Sequence, residues 1–256
     1  MTKAVILAGS QKSPEETDGD FYKNKALIKL NGYPMITYII NALSRVEEVN
    51  EINVVGPKDS LENILKDYEV NILPEDGTVL DNILLAAETL DVNEGENILL
   101  VTSDIPLITP EAIENFLSKC EGSYDLYYPM IDKLENDKRF PYLNRTFVKF
   151  KEGHFTGGNV FFINPRKVKQ CYDKVQKIIF FRKKPVKLAM LLGITFLLRL
   201  LTGQLSTSQV EKKVSNLLNI QGKAVITPYP ELGTDVDKEE DLMWIEKNFF
   251  KEKATN

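Results

Sequence analysis

Residues 3–9 read Lys3-Ala4-Val5-Ile6-Leu7-Ala8-Gly9, an apolar run that stops on a glycine. A run of this length without polar alternation is the pattern of a strand buried on both faces, as in a parallel sheet. Gly9 lets the backbone turn sharply and puts no side chain in the way of a ligand. A loop leaving the carboxyl end of such a strand can aim backbone N–H groups, here those of Gly9 and Ser10, at a phosphate. A polar loop follows, acidic at Glu15, Glu16, Asp18 and Asp20, and then Lys25-Ala26-Leu27-Ile28-Lys29-Leu30-Asn31-Gly32-Tyr33-Pro34-Met35. Lys25 offers a mobile cation that reaches the same phosphates. Neither G-x-G-x-x-G nor G-x-x-x-x-G-K-[ST] occurs in this stretch, so the two common glycine-rich fingerprints do not explain it.

Outward from this stretch, strand-like and helix-like segments alternate, which predicts βαβ units and a parallel sheet. Apolar residues at helical spacing run from Met35 to Leu43, with Pro34 suited to the first turn. Residues 52–55 and 70–73 read as strands, with a helix through Leu61, Ile64 and Leu65 between them. The loop 74–77 ends in Gly77, and Thr78 is placed to cap a helix through Leu80, Ile83, Leu84 and Ala87. By themselves, Asn82 in the first turns of that helix reads as a solvent-facing residue and Gly77 as a turn glycine. Residues 97–102 form a fourth strand, and Asp104 follows at once. An aspartate just past a buried parallel strand sits where open α/β sheets bind ligands, although capping a turn would also account for it. Thr109 and Pro110 start the next helix.

The second half changes character. A strand at 124–131 leads into the charged stretch 132–139, and 146–150 with 155–163 reads as a hairpin turned at Glu152-Gly153. Within it, Thr156-Gly157-Gly158-Asn159 predicts a bulge or a close backbone approach to a ligand. Residues 165–220 read as a helical insertion. It contains Arg182, Lys183, Lys184 and Lys187, and then the most apolar run of the chain, 188–201, which is too short to cross a bilayer of ~20 residues per span. Two readings fit it: a buried helix covering a sheet edge, or a basic apolar element (180–202) lying on a membrane surface. Arg182 and Lys183 also suit a bound phosphate. A last strand at 224–227 precedes Thr234-Asp235-Val236-Asp237-Lys238-Glu239-Glu240-Asp241-Leu242. Asp237 with Glu240 can form a capping box variant. Asp235 is not needed for a cap, and residues i and i+2 of an extended segment face the same way. Two carboxylates therefore converge, an arrangement suited to a cation.

The order of these motifs resembles the MobA-like NTP transferase family, the molybdenum-cofactor guanylyltransferase-like nucleotidyltransferases. The resemblance rests on Leu7-Ala8-Gly9, Lys25, Gly32-Tyr33-Pro34, Asp104-Ile105-Pro106-Leu107-Ile108, the Gly158-Asn159 strand and the closing Asp235/Asp237 pair. The chain departs from the family where Ser10 replaces a glycine, where the first loop lacks an arginine, and where Glu239 stands for a proline. The resemblance implies an α/β, three-layer Rossmann-like nucleotidyltransferase (GT-A-like) fold with a mixed, mostly parallel sheet, as one domain over 1–250 with 165–220 inserted. It implies nucleotide binding by Leu7, Ala8, Gly9, Ser10, Lys25, Gly77 and Asn82, and acceptor binding by Gly158 and Asn159. Lys25 and Asp104 are the implied catalytic residues, and Asp104, Asp235 and Asp237 the implied Mg²⁺ ligands. The implied reaction moves NMP from a nucleoside triphosphate to a phosphorylated small molecule and releases pyrophosphate. A GT-A-type glycosyltransferase using a sugar nucleotide ranks lower for want of a mid-chain Asp-x-Asp. A non-catalytic nucleotide-binding or membrane-associated protein is the remaining alternative.

Composition is ordinary for a soluble globular protein. The 256 residues carry a net charge of −5, which argues against a nucleic-acid partner. Cys120 and Cys171 have no metal or redox spacing and read as free thiols of a reducing cytosol. No signal-peptide pattern opens the chain, so a cytoplasmic location is expected.

Overall fold

A computed structural model describes residues 1–9, 24–90, 92–93, 95–143, 145–181 and 185–250. The chain runs β1 (Thr2–Leu7), β2 (Lys29–Leu30), β3 (Tyr33–Pro34), α1 (Met35–Leu43), β4 (Val49–Gly56), α2 (Lys58–Leu65), β5 (Asn71–Pro74) and α3 (Val79–Thr89). It continues through β6 (Ile98–Thr102), α4 (Pro110–Ser118), β7 (Leu126–Asp132), α5 (Lys133–Arg139), β8 (Val148–Lys149), β9 (His154–Gly157) and β10 (Val160–Ile163). The remainder is α6 (Pro165–Phe181), α7 (Pro185–Leu192), α8 (Ile194–Leu201), α9 (Thr207–Leu218), β11 (Gly222–Thr227) and α10 (Glu239–Ile245).

Nine strands form one sheet in the order β5-β4-β1-β6-β10-β7-β9-β8, with β11 on the other edge of β7. β5, β4, β1 and β6 are mutually parallel, and β11 is parallel to β7. β10 runs against both β6 and β7, and β9 runs against β7 and β8. The sheet is therefore mixed and mostly parallel, the Rossmann-like arrangement expected. Alternation along the central strands divides the core into two layers. Ala4, Ile6, Val54, Leu99 and Val101 pack with Ile36, Ile39, Leu61, Ile113 and Phe116, which belong to α1, α2 and α4. Val5, Val55, Ile98 and Leu100 pack on the opposite face with Leu80, Ile83 and Ala86 of α3 and Val168 of α6. These central strands, β1, β4 and β6, bury both of their faces, which is why their sequence runs are apolar.

Helix starts follow the caps. Thr78 and Asp81 form a reciprocal capping box on α3, and Thr109 accepts from the N–H of Ala112 before Pro110. Asp132 Oδ1 accepts from the N–H of Leu134 at 2.7 Å and starts α5, which takes up the charged stretch. Several expectations are corrected. Residues 155–163 are not one strand, because the run breaks at Gly158-Asn159 into β9 and β10. The hairpin is the short β8–β9 pair. The break has a packing cause: the carbonyl of Leu232 accepts from the N–H of Asn159 at 2.8 Å, in place of a continuing ladder. A Cβ at Gly158 would lie 2.7 Å from Pro129 Cγ and 2.9 Å from the Leu232 oxygen, so only glycine admits this approach. The apolar run 188–201 is not a buried helix. It is two helices, α7 and α8, parted at Gly193, and α8 buries no residue. Asp237 does not cap α10; Asp241 does, accepting from the N–H groups of Asp237 and Lys238.

Candidate active site

The carboxyl ends of β1, β4, β5 and β6 and the start of β10 share one rim of the sheet. The segments that leave this rim carry the polar side chains singled out in the sequence. Ala8 is fully buried, and both of its backbone groups are used inside the protein: its N–H donates to Val55, and its carbonyl accepts from Asn24 Nδ2 at 3.0 Å. Leu7 and Ala8 therefore shape the rim through the backbone. Gly9 sits where a Cβ would come within 2.9 Å of Asn82 Nδ2 and of Glu75 Oε2. Asn82 is buried rather than solvent-facing, and its Oδ1 accepts from the N–H of Asp76 at 2.7 Å. Gly77, in the same loop, has φ +61°, the left-handed region that glycine tolerates. Gly9, Glu75, Gly77 and Asn82 thus form one corner of the rim. Ser10 lies outside the described residues, as does the acidic loop 11–21.

Asn24 holds Lys25 in place. Besides its bond to Ala8, its Oδ1 accepts from the N–H of Ala26 at 3.0 Å and starts a short 3₁₀ turn, Lys25–Leu27. From that turn Lys25 Nζ donates to Asp237 Oδ1 at 2.6 Å and to Asp104 Oδ2 at 3.2 Å. Asp104 is also fixed at its other oxygen, which accepts from Thr102 Oγ1 at 2.6 Å. Arg145 donates through Nη1 to Asp235 Oδ1 at 3.1 Å and through Nη2 to the carbonyl of Gly157 at 3.2 Å. One oxygen from each of Asp104, Asp235 and Asp237 lies within 4.8 Å of the others. Asp104 is the most enclosed, with 13% of its side chain exposed, and Asp237 the most open at 64%.

Electrostatics follow from this crowding. Burial works against the Lys25 charge, yet Asp104 and Asp237 outweigh it and raise its pKa above the ordinary lysine value. Burial pushes the Asp235 carboxyl up to about 6, with the charges of Asp237 and Asp104 adding and Arg145 opposing. Burial likewise disfavours the Asp237 charge, but the bond and charge of Lys25 win and hold it below the usual range. Three carboxylates face two cations here, so negative charge is in surplus. An all-oxygen donor set with that surplus fits a hard divalent cation.

Gly158 and Asn159 reach the same rim. The carbonyl of Asn159 accepts from the N–H of Thr102 at 3.0 Å, two residues before Asp104. Lys25, Asp104, Asp235, Asp237, Gly158 and Asn159 are thus brought together around the end of β6, with Gly9, Gly77 and Asn82 beside them at the end of β1. Arg182, Lys183 and Lys184 lie outside the described residues. Two contributors gave little sequence signal. Asn24 is an ordinary loop residue until its two bonds are seen. Arg145 stands between segments with no motif around it.

A mixed Rossmann-like sheet with acidic groups and a lysine gathered at its carboxyl rim defines the class: a nucleotidyltransferase fold. A family model described as a MobA-like NTP transferase domain matches residues 4–176, and the chain belongs to this family of nucleotidyltransferases. A solved structure from Thermus thermophilus, described as a hypothetical transferase, superposes with a TM-score of 0.81 and 34% identity, covering 94% of this chain and 99% of that one. In sequence, a 3-deoxy-manno-octulosonate cytidylyltransferase from Hydrogenovibrio crunogenus is 27% identical over 110 residues, which is 41% of this chain and 44% of the relative. A probable molybdenum cofactor guanylyltransferase from Thermococcus gammatolerans is 29% identical over 129 residues, 48% of this chain and 58% of the relative. The matches span about half the length of these two relatives. No described helix is long and apolar enough to cross a membrane.

Proposed function

We propose that the protein transfers a nucleoside monophosphate from a nucleoside triphosphate to a phosphorylated small molecule. One observation carries this reading: Asp104, from the end of one strand, and Asp235 and Asp237, from far along the chain, bring their carboxylates within 4.8 Å of one another beside Lys25. An acceptor phosphate oxygen attacks the α-phosphorus, the bond to the bridging oxygen breaks, and pyrophosphate leaves. Such chemistry needs positioning and charge neutralisation more than it needs a proton shuttle. Lys25 neutralises the departing phosphates. The backbone at Gly9 and the loop fixed by Asn82 hold the nucleotide. Gly158 and Asn159, adjacent to Asp104, hold the acceptor. Arg145 keeps Asp235 turned toward the other two carboxylates. A divalent cation such as Mg²⁺, held by Asp104, Asp235 and Asp237, supplies charge neutralisation on the phosphate oxygens when bound.

The test is pyrophosphate release from each of the common ribonucleoside triphosphates with Mg²⁺ and a panel of phosphorylated small molecules, using wild type and Asp104→Asn. Wild type releases pyrophosphate with at least one pair. The variant keeps its thermal unfolding midpoint and loses about 100-fold or more of the rate. Equal rates in the two proteins remove the role of Asp104. Release of a nucleoside diphosphate from a sugar nucleotide, with no pyrophosphate from any pair, overturns the reaction in favour of glycosyl transfer.

A further inference from the structure

The helical segment between β10 and β11 carries features that nucleotidyl transfer does not use. Residues 165–213 hold twelve Lys and Arg against two acidic residues, in a chain whose net charge is −5. The positive charge is therefore concentrated in this segment, and the rest of the protein is strongly acidic. The same segment exposes large apolar side chains: Met190 of α7 at 74%, and Ile194, Leu198 and Leu201 of α8 at 61, 55 and 73%. Positions 194, 198 and 201 fall on one face of the helix. The opposite side of α8 is used, since Leu200 packs with Met130, Phe150 and Phe155 of the sheet end. At the end of α6, Ile179 and Phe180 are exposed as well. Cations stand against aromatic rings of the same helices. Lys187 Nζ stands 5.5 Å from the Phe181 ring, and Lys213 Nζ stands 5.7 Å from the Phe196 ring.

An exposed apolar face of this kind marks a contact surface. Its charge selects the occupant. A second copy would bring one strongly basic segment against another, and like charge opposes that pairing. An anionic bilayer attracts the basic residues and accepts the apolar ones at its headgroup boundary. We propose that α6–α8 dock this protein on the surface of an anionic lipid bilayer, with Met190, Ile194, Leu198 and Leu201 entering the interface. No described helix is long and apolar enough to cross a membrane, so the segment lies on the surface rather than spanning it. This surface is independent of the nucleotidyl-transfer reading and stands or falls without it.

The experiment is flotation of the full chain with vesicles of phosphatidylcholine alone or of phosphatidylcholine with phosphatidylglycerol. Wild type floats with the anionic vesicles and not with the neutral ones, and added salt weakens the partition. Leu198→Glu/Leu201→Glu replaces exposed side chains, so it keeps the wild-type unfolding midpoint and partitions roughly tenfold or more weakly. If that variant fails to fold, Leu198→Ala/Leu201→Ala takes its place, with a smaller loss expected. Absence of wild-type flotation overturns the proposal, as does full flotation of whichever folded variant is used. A concentration-dependent dimer of the lipid-free protein that these substitutions abolish also overturns it, because the face then belongs to a second copy.

Discussion

The backbone N–H of Val236 donates to the carbonyl of Asp104 at 2.9 Å. This one bond ties the end of β6 to a segment more than 130 residues later in the sequence. Val236 is fully buried in the cluster with Leu30, Met35 and Phe140, so its neighbours Asp235 and Asp237 turn away from that core toward the rim. The carboxylates thus converge because the backbone places them, and only secondarily because Lys25 and Arg145 pair with them.

Such forced proximity makes the site sensitive to pH. The Asp235 carboxyl is raised to about 6, chiefly by burial. Folding therefore favours its protonated form. Its contribution to stability is fully present below the unfolded value of about 3.9 and is lost as pH rises through the folded value. A divalent cation competes with that proton. The rise in unfolding midpoint caused by Mg²⁺ is expected to be small near about pH 5 and complete near about pH 8. Asp235→Asn should abolish that pH step and lower cation affinity by about 10- to 100-fold. Thermal shift against pH, with and without Mg²⁺, measures both. A Mg²⁺ effect independent of pH in wild type contradicts the assignment.

Asn24 holds the Lys25 turn through its two side-chain bonds to the backbone of Ala8 and Ala26. Asn24→Ala removes the cap of the 3₁₀ turn and the bond to Ala8. Loss of a cap costs about 1 kcal/mol, a drop of roughly 2–4 °C in a chain of this size. The larger effect is expected on the nucleotide: its apparent KM rises several-fold, while Lys25→Ala lowers kcat. Asn24→Asp keeps the cap acceptor but turns a carboxylate oxygen, in place of a donor, toward the carbonyl of Ala8, so it should recover only part of the stability and of the KM. An Asn24→Ala enzyme with wild-type KM shows that Lys25 holds its place unaided.

The parts of this architecture that are legible in the sequence are those set by local rules. Runs such as 98–101 declare a strand buried on both faces, and Thr78 and Thr109 declare helix starts. The placement of Asp104 at a strand end, and of Asp235 and Asp237 on one side of an extended segment, follows from the two-residue period. What does not show is set by contacts distant in sequence. The break at Gly158-Asn159 depends on the carbonyl of Leu232, and the pairing of Arg145 depends on Asp235. No local pattern encodes either. The 188–201 run misled for the same reason: apolar composition alone does not say whether a helix finds a covering surface.

Gly158→Ala tests the break between β9 and β10. The new methyl group would lie 2.7 Å from Pro129 Cγ and 2.9 Å from the Leu232 oxygen, which is backbone and cannot swing aside. Overpacking of this kind costs about 1–3 kcal/mol. Because the displaced carbonyl also accepts from Asn159, the part of the rim proposed to hold the acceptor should shift with it. The expected result is a lower unfolding midpoint and a raised acceptor KM, with nucleotide affinity unchanged. A variant as stable as wild type argues that the Leu232 turn moves freely.

Arg145 separates charge from geometry at the same rim. Its charge opposes the rise in the Asp235 pKa, while its two Nη groups join Asp235 to the carbonyl of Gly157. Its Nε is buried and has no hydrogen-bond partner among the described residues. Arg145→Met deletes both functions. The Asp235 carboxyl should then titrate higher, so cation binding weakens near about pH 7 and recovers at higher pH. Arg145→Lys keeps the charge but not the two-pronged geometry. It should leave the pH dependence close to wild type while weakening cation affinity at every pH. Isothermal titration of Mg²⁺ into the three proteins across pH distinguishes these outcomes. If Met and Lys behave alike, the charge of Arg145 does not reach Asp235, and the electrostatic part of this account fails.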